Sequence, residues 1–449
     1  MALAPMVAGP ILREKVQEVT MVSVWQWNLR QFTRRIWVPI AIYAGLGVAT
    51  ALVTLAVKPF LPATLPARIG ADAVSTILQI MASSMLSVTT FSLSIMTGAF
   101  GAAASGATPR ATELLKQDGV TQSVLATFTG AFLFSLSGLI GLQTGIYEEA
   151  GRLVLFVVTL VVLAAVIWQL VRWIGHLADF GRLADTIARV ERAAASSLSD
   201  RMARPFLGGR RLSDTAEAEA MRGQPVMPDG CGYLQMIDVA GLQQVASAAG
   251  VTLAIAALPG SFLHPAAPLL RILPPGRADA ETEAALRRHF VIAPTRNFAQ
   301  DPRFGILALT EIASRALSPA VNDPGTAIDI LTRQMRLLAL WQGRAEAPVD
   351  YPALLVPPLR LSDLMTDAFA AIARDGAGLI EVQIRLHKTL AGLADLDPAI
   401  FLAEARRLSA RALAQAEAAP LLEEDKAVLR ALAADIAARP EGGATARSA

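Results

Sequence analysis

The residues of this chain best placed to do chemistry are hydroxyls rather than acids, thiols or imidazoles. Thr76, Gln79, Ser83, Ser87, Thr90, Ser94 and Thr97 recur at spacings of three and four. On a helix that spacing puts all seven on one face, and Gly101 continues the line. Such a ladder can do two things. It can replace part of the hydration of an ion or small solute moving past it. It can also bond across to a neighbouring helix, since Ser, Thr and Gly are the usual interface residues of membrane helices. Both readings stay open at this point. What the pattern disfavours is lipid, because an unpaired hydroxyl in hydrocarbon costs roughly 1–3 kcal/mol or more.

A second run, Ser318-Pro319-Ala320-Val321-Asn322-Asp323-Pro324, joins two helical patterns. Pro319 stops the first, expected over 304–317. Asp323 is a good N-cap for the second, with Pro324 at its first position. A capped helix–loop–helix accounts for every residue of the run. The functional alternative is that Asn322 and Asp323 face a ligand or a neighbouring subunit.

Other chemistries find no residues to carry them. There is no Gly-rich phosphate loop, no Ser/His/Asp arrangement and no metal-binding motif, so no catalytic residue, metal or cofactor is expected. His176, His264, His289 and His387 lie far apart and read as ordinary core or surface histidines. Cys231 is the only cysteine, which excludes an intrachain disulfide framework. Glu423 and Glu424 are adjacent and read as solvated. A net charge of +2 is too small to imply a nucleic-acid partner.

The elements that must position the hydroxyls belong to a membrane protein. Of the 449 residues, 53% are hydrophobic and only 17% charged, against about 25% in average soluble chains. Most of the charge lies in the second half, so a membrane part and a water-soluble part are expected. Between Asp72 and Arg110 there is no other charged residue, and that stretch is too long and apolar for an ordinary soluble helix. A helix through all of it outruns a ~30 Å bilayer core, so it must tilt, protrude or break. Gly98, Gly101 and Gly106 mark the expected break, and Pro109 the end.

Three further charge-poor stretches complete four spans: 36–57, 121–146 with the close-packing pair Gly141 and Gly145, and 153–171. None has a charge at its centre, which lowers the case for a proton relay or ion-coupled carrier. Residues 1–12 make a poor signal peptide, and Trp25 and Trp27 near Arg30, Arg34 and Arg35 fit the flank of the first span. Arg13, Lys15, Arg30, Arg34, Arg35, Arg110, Lys116, Arg172, Arg182, Arg189 and Arg192 fall on one side. Lys58, Arg68 and Arg152 fall on the other. The positive-inside rule puts both termini in the cytoplasm.

The expected fold is therefore an α-helical polytopic membrane domain of four spans followed by a mostly helical α+β cytoplasmic domain. Its parts are a cytoplasmic or interfacial segment 1–35, the membrane domain 36–176, and an amphipathic helix with linker 177–230. A small β-containing unit 231–300, a helical region 301–438 and a disordered tail 439–449 follow. The helix of the linker runs over 177–203, and 205–229 is a loop. Strands are expected at 232–238, 251–258, 268–273 and 289–293, a helix at 239–249, and helices alone from 301 onward.

Four stretches together carry a family resemblance: SGATPRATELL (105–115), DPRFGILALTEIASRALSPAVNDPGTA (301–327), GYLQMID (232–238) and the turn PGSF (259–262). The chain resembles the bacterial predicted membrane proteins grouped as domain of unknown function 2254, from about the first span to the 390s. The family-like positions are Pro109, Arg110, Asp301, Arg315, Ser318, Pro319, Asn322, Asp323 and Pro324. Where the family carries a Phe-containing segment before its Pro-Arg pair, this chain has Gly106-Ala107-Thr108. The resemblance implies an inner-membrane protein of four spans and no assigned reaction. From the residues, a homo-oligomeric pore lined by the second span is the leading expectation, with the lipid bilayer and further copies of the chain as partners. A membrane-anchored sensor or scaffold is the alternative, and an enzyme the weakest.

Overall fold

The computed structural model describes residues 71–116, 118–144, 149–177, 180–341 and 348–440, with isolated positions at 38, 41, 42, 45 and 49. The expected first span, the segment 1–35, nearly all of the tail and Gly145 lie outside the described residues. The chain divides into two compact units, with the boundary between Arg189 and Val190.

The first unit is built from long apolar helices. Helix α1 (Ala71–Gly106) runs unbroken for 36 residues, about 54 Å at ~1.5 Å per residue. The break expected at Gly98 or Gly101 does not occur. A broken helix would leave backbone N–H and C=O groups unpaired in hydrocarbon, which exceeds the ~1 kcal/mol that a helical glycine costs. The helix ends at Gly106, and Pro109 opens the short α2 (Pro109–Lys116). Helix α3 (Gly119–Gln143) and helix α4 (Glu149–Leu177) follow. Among the described residues three helices, α1, α3 and α4, are long and apolar enough to cross a membrane.

Helix α3 packs against both α1 and α4. Val74, Leu78, Met81 and Met85 of α1 meet Phe128, Ala131 and Phe134 of α3 and Leu155, Val162 and Trp173 of α4 in one apolar core. Gly138 lets the three approach: a Cβ there would lie 3.0 Å from Leu78 and 3.4 Å from Leu155. Gly141 is also buried in α3. One polar bond crosses the core, from Gln169 Nε2 to Ser123 Oγ at 2.9 Å. The single helix expected over 177–203 is instead divided, because Gly181 turns the chain at φ +82° before α5 (Leu183–Ala203). A Cβ at Gly181 would sit 2.7 Å from that of Ala99, so both the angle and the space require glycine.

The second unit combines two sheets with a helical bundle. One sheet has strand order β1 (Gly209–Arg211), β8 (Tyr351–Val356), β4 (Thr252–Ile255), β6 (Leu270–Leu273), β2 (Gln224–Val226). Strand β8 runs parallel to β1 and β4, and the other pairs are antiparallel. The second sheet is antiparallel, with order β5 (Phe262–Leu263), β3 (Gly232–Ile237), β7 (Phe290–Ala293). The sheets thus draw strands from 205–229, expected to be loop, and from 351–356, expected to be helical. Strands β1 and β2 span three residues each, too few to show a period of two, and both find their partners far along the chain.

Helix α6 (Asp214–Ala220) and helix α8 (Ala280–Arg287) were not foreseen. Helix α7 (Val239–Ala249) was; it starts at the cap Asp238 and stops at Gly250, φ +63°. The bundle comprises α9 (Pro302–Ala316), α10 (Pro324–Leu338), α11 (Leu361–Asp375), α12 (Ile380–Leu396), α13 (Pro398–Glu417) and α14 (Glu423–Ala438). Apolar residues at i, i+3 and i+4, such as Leu386, Leu390 and Leu393, are buried in it.

Candidate functional site

Thr76, Gln79, Ser83, Ser87, Thr90, Ser94 and Thr97 lie on one face of α1, and all seven are exposed. The opposite face, with Val74, Leu78, Met81 and Met85, is the one buried in the bundle. The hydroxyls are not unpaired. Each donates its hydrogen to a carbonyl of the preceding turn: Thr76 to Asp72 at 2.7 Å, Ser83 to Gln79 at 3.0 Å, and Ser87 to Ser83 at 3.0 Å. Thr90 donates to Leu86 at 2.9 Å, Ser94 to Thr90 at 3.1 Å, and Thr97 to Leu93 at 2.8 Å. Such back-bonding is a regular option for Ser and Thr within helices. It removes most of the desolvation cost that spacing alone assigned to the stripe. Gln79 differs, since its amide makes no hydrogen bond among the described residues.

Helix α4 supplies the contrast. Its outward side chains Val157, Val161, Ile167, Trp168, Val171 and Ile174 are exposed and apolar, with Trp168 at 73%. That is a surface suited to lipid, whereas the outward side of α1 mixes the polar ladder with exposed Ile80, Leu86, Phe91 and Leu93. Spacing also missed Ser92, which turns inward on α1, is 1% exposed, and has no hydrogen-bond partner among the described residues. It lies four residues beyond Val88, on the core side.

A charged cluster, also missed, gathers at the start of α3. Asp118 caps that helix, accepting from Thr121 N at 2.8 Å and Thr121 Oγ1 at 2.6 Å. Arg189 Nη1 donates to it at 2.6 Å while its Nε donates to Asp185 at 2.7 Å. His176 Nε2 lies 2.9 Å from Asp118 Oδ2. Burial pushes the Asp118 carboxyl up, but the bonds from Thr121 and Arg189 outweigh it and hold the pKa below the usual value. Only Asp118, as a cap before Gly119, left a local trace in the sequence.

In the second unit the family-like positions split in two. Asp301 caps α9 through Phe304 N at 3.2 Å and pairs with Arg296 at 2.6 Å. It is 2% exposed, and burial raises its pKa in spite of Arg296. Arg201 is buried beside it, and desolvation lowers its pKa to about 10. The structure brings Gly260 of the PGSF turn directly against Asp301.

The other group forms the α9–α10 junction. Ser318 Oγ donates to the Arg315 carbonyl at 2.7 Å, and Asp323 N to that of Ala316 at 2.8 Å. Pro319 and Asn322 are exposed at the tip, with Asn322 left-handed at φ +51°. Asp323 accepts from Thr326 N at 3.0 Å and Thr326 Oγ1 at 2.5 Å, and Pro324 opens α10. These bonds lower the Asp323 pKa. Pro109 and Arg110 open α2 in the first unit, with Arg110 exposed. Among the described residues no group of His, Cys, Asp and Glu could hold a metal.

Comparison with known proteins identifies a family of predicted membrane proteins. The family of predicted membrane proteins designated domain of unknown function 2254 matches residues 33–392. An uncharacterized protein of Mycobacterium tuberculosis is 30% identical over 223 residues, 48% of this chain and 42% of the relative. An uncharacterized protein of Mycobacterium bovis matches to the same extent. The chain therefore spans less than half the length of these relatives. No solved structure gives a significant match. The chain belongs to the domain of unknown function 2254 family.

Proposed function

We propose that the protein is a homo-oligomeric channel or pore of the bacterial inner membrane, with α1 lining the path. The observation that carries this reading is the difference between two outward faces of one unit. That of α4 is apolar from Val157 to Val171; that of α1 bears seven polar side chains over six turns, interleaved with exposed Ile80, Leu86, Phe91 and Leu93. A helix that packs its apolar side within its own chain and keeps a polar side outward suits water or another copy of the chain. Four spans with both termini cytoplasmic follow from the basic bias, with 36–57 as the first span. No enzymatic chemistry and no nucleic-acid partner are part of this reading.

The second reading is a membrane-anchored sensor or scaffold without transport. What favours it is the back-bonding: hydroxyls already joined to their own carbonyls sit comfortably in a packed interface. Reconstitution separates the two. Purified protein in liposomes passes ions or small solutes if α1 lines a path, and Ser87→Leu and Ser94→Leu reduce the flux while the oligomer survives. An intact oligomer with no flux of any monovalent or divalent ion decides for the scaffold.

A further inference from the structure

Between α9, α11 and α13 lies a cleft of about 410 Å³, within the roughly 300–1,000 Å³ of small-molecule sites. Its floor is Ala370 and Ala371 of α11. Alanines there leave open the space that larger side chains would close between the flanking helices.

The hydrogen-bonding groups of the lining are unequally occupied. Asp367 is held across both oxygens by Arg303, at 2.7 and 3.1 Å. Asp375, next to Arg374 in the chain, accepts from Ser314 and from Arg374. Glu311 is likewise engaged. The donors are less occupied. Arg374 uses Nε and Nη2 on Asp375, at 2.7 and 3.1 Å, which leaves Nη1. Thr366 Oγ1 accepts from Arg407 at 2.8 Å, so its own hydrogen is available to donate. Arg411, exposed on α13, has no hydrogen bond or ion pair among the described residues.

Thr366 and Arg374 share one face of α11, eight residues apart, and Arg411 stands across the cleft on α13. Guanidinium and hydroxyl donors in that arrangement, beside acids already satisfied, match a group with several acceptor oxygens. We propose that this cleft binds a small anion of the phosphate or carboxylate class, with Arg411 as its principal contact. The assignment stands apart from the transport reading, since it concerns the second unit alone. A free anion and an anionic lipid headgroup present the same chemistry here.

The test uses the full chain in detergent, titrated calorimetrically with inorganic phosphate and with succinate against sodium chloride of equal ionic strength. Saturable binding of either is expected. Arg411→Gln weakens it about tenfold or more, without changing the unfolding temperature of the unliganded protein. Ala370→Phe fills the floor and abolishes binding; should it fail to fold, Arg411→Gln still decides. Repeating the titration in nanodiscs distinguishes the sources. Binding kept in phosphatidylcholine but lost in phosphatidylglycerol identifies a headgroup site, and equal binding in both identifies a free anion. No saturable binding beyond chloride in any of these settings, or binding indifferent to Arg411→Gln, overturns the proposal.

Discussion

Asp301 occupies the space that a side chain on Gly260 would need: a Cβ built there falls 2.3 Å from Asp301 Oδ2. Gly260 also sits at φ +96°, a conformation that other residues rarely adopt. Gly260→Ala therefore meets a steric and a backbone penalty together, and should destabilise the second unit by roughly 2–4 kcal/mol. Thermal unfolding of the detergent-solubilised protein checks this. A loss below 0.5 kcal/mol would mean that the turn moves freely away from Asp301.

The cap of α10 gives a smaller effect. Asp323→Ala should lose about 0.5–2 kcal/mol, whereas Asn322→Gly, which only eases a left-handed residue, should be near neutral. If the junction is purely structural, assembly and activity fall in step with stability. A variant of unchanged stability and lost activity would show that Asp323 meets a ligand or a partner.

Acid should act on Asp118 and Asp301 with opposite sign. The folded-state pKa of Asp118 is depressed, so its contribution is full above the unfolded value near 3.9 and is lost as pH falls through the folded value. That of Asp301 is raised, so the stability linked to its titration is full below the unfolded value and is lost as pH climbs through the folded one. Asp118→Asn should accordingly flatten the acid limb of the stability curve, and Asp301→Asn should flatten the limb above pH ~4. Unfolding temperatures between pH 3 and 6 provide the measurement.

Topology is checked by reporter fusions. Fusions after Gln117 and after Arg192 should read cytoplasmic, and fusions at Pro62 and Glu149 external, following the basic residues on each side. An external signal after Arg192 overturns the orientation.

The polar face of α1 can be probed residue by residue. With Cys231 replaced by Ser, single cysteines from Ser83 to Thr97 should react with a small water-soluble thiol reagent at every third or fourth position if the face is wet. Uniform protection, joined to loss of the oligomer in Ser87→Leu, would decide for packing.

How much of this was legible before the fold follows from the range of each interaction. The shared face of the α1 hydroxyls and the cap Asp323 are local, set within three or four residues, and spacing revealed them. Strands β1 and β2 are short, and they and β8 pair only with partners far away in sequence. The joining of Asp118 to His176 and Arg189, and of Gly260 to Asp301, likewise depends on chain return. Asp118 is marked locally only as a cap, and nothing local marks its partners His176 and Arg189. The glycines of α1 misled for the opposite reason: Gly98 and Gly101 look like breakers, but the space around each is open and the helix runs through them.

The back-bonded hydroxyls give α1 an electrostatic sign. Thr76, Ser83, Ser87, Thr90, Ser94 and Thr97 have each committed their only hydrogen inward, so what they turn outward is oxygen lone pairs. The face accepts and, Gln79 aside, does not donate. A neighbouring helix docking here must bring donors of its own, and a mobile ion must be one that oxygen can solvate. If α1 lines a path, sodium, potassium or a divalent cation meets that condition, and chloride does not.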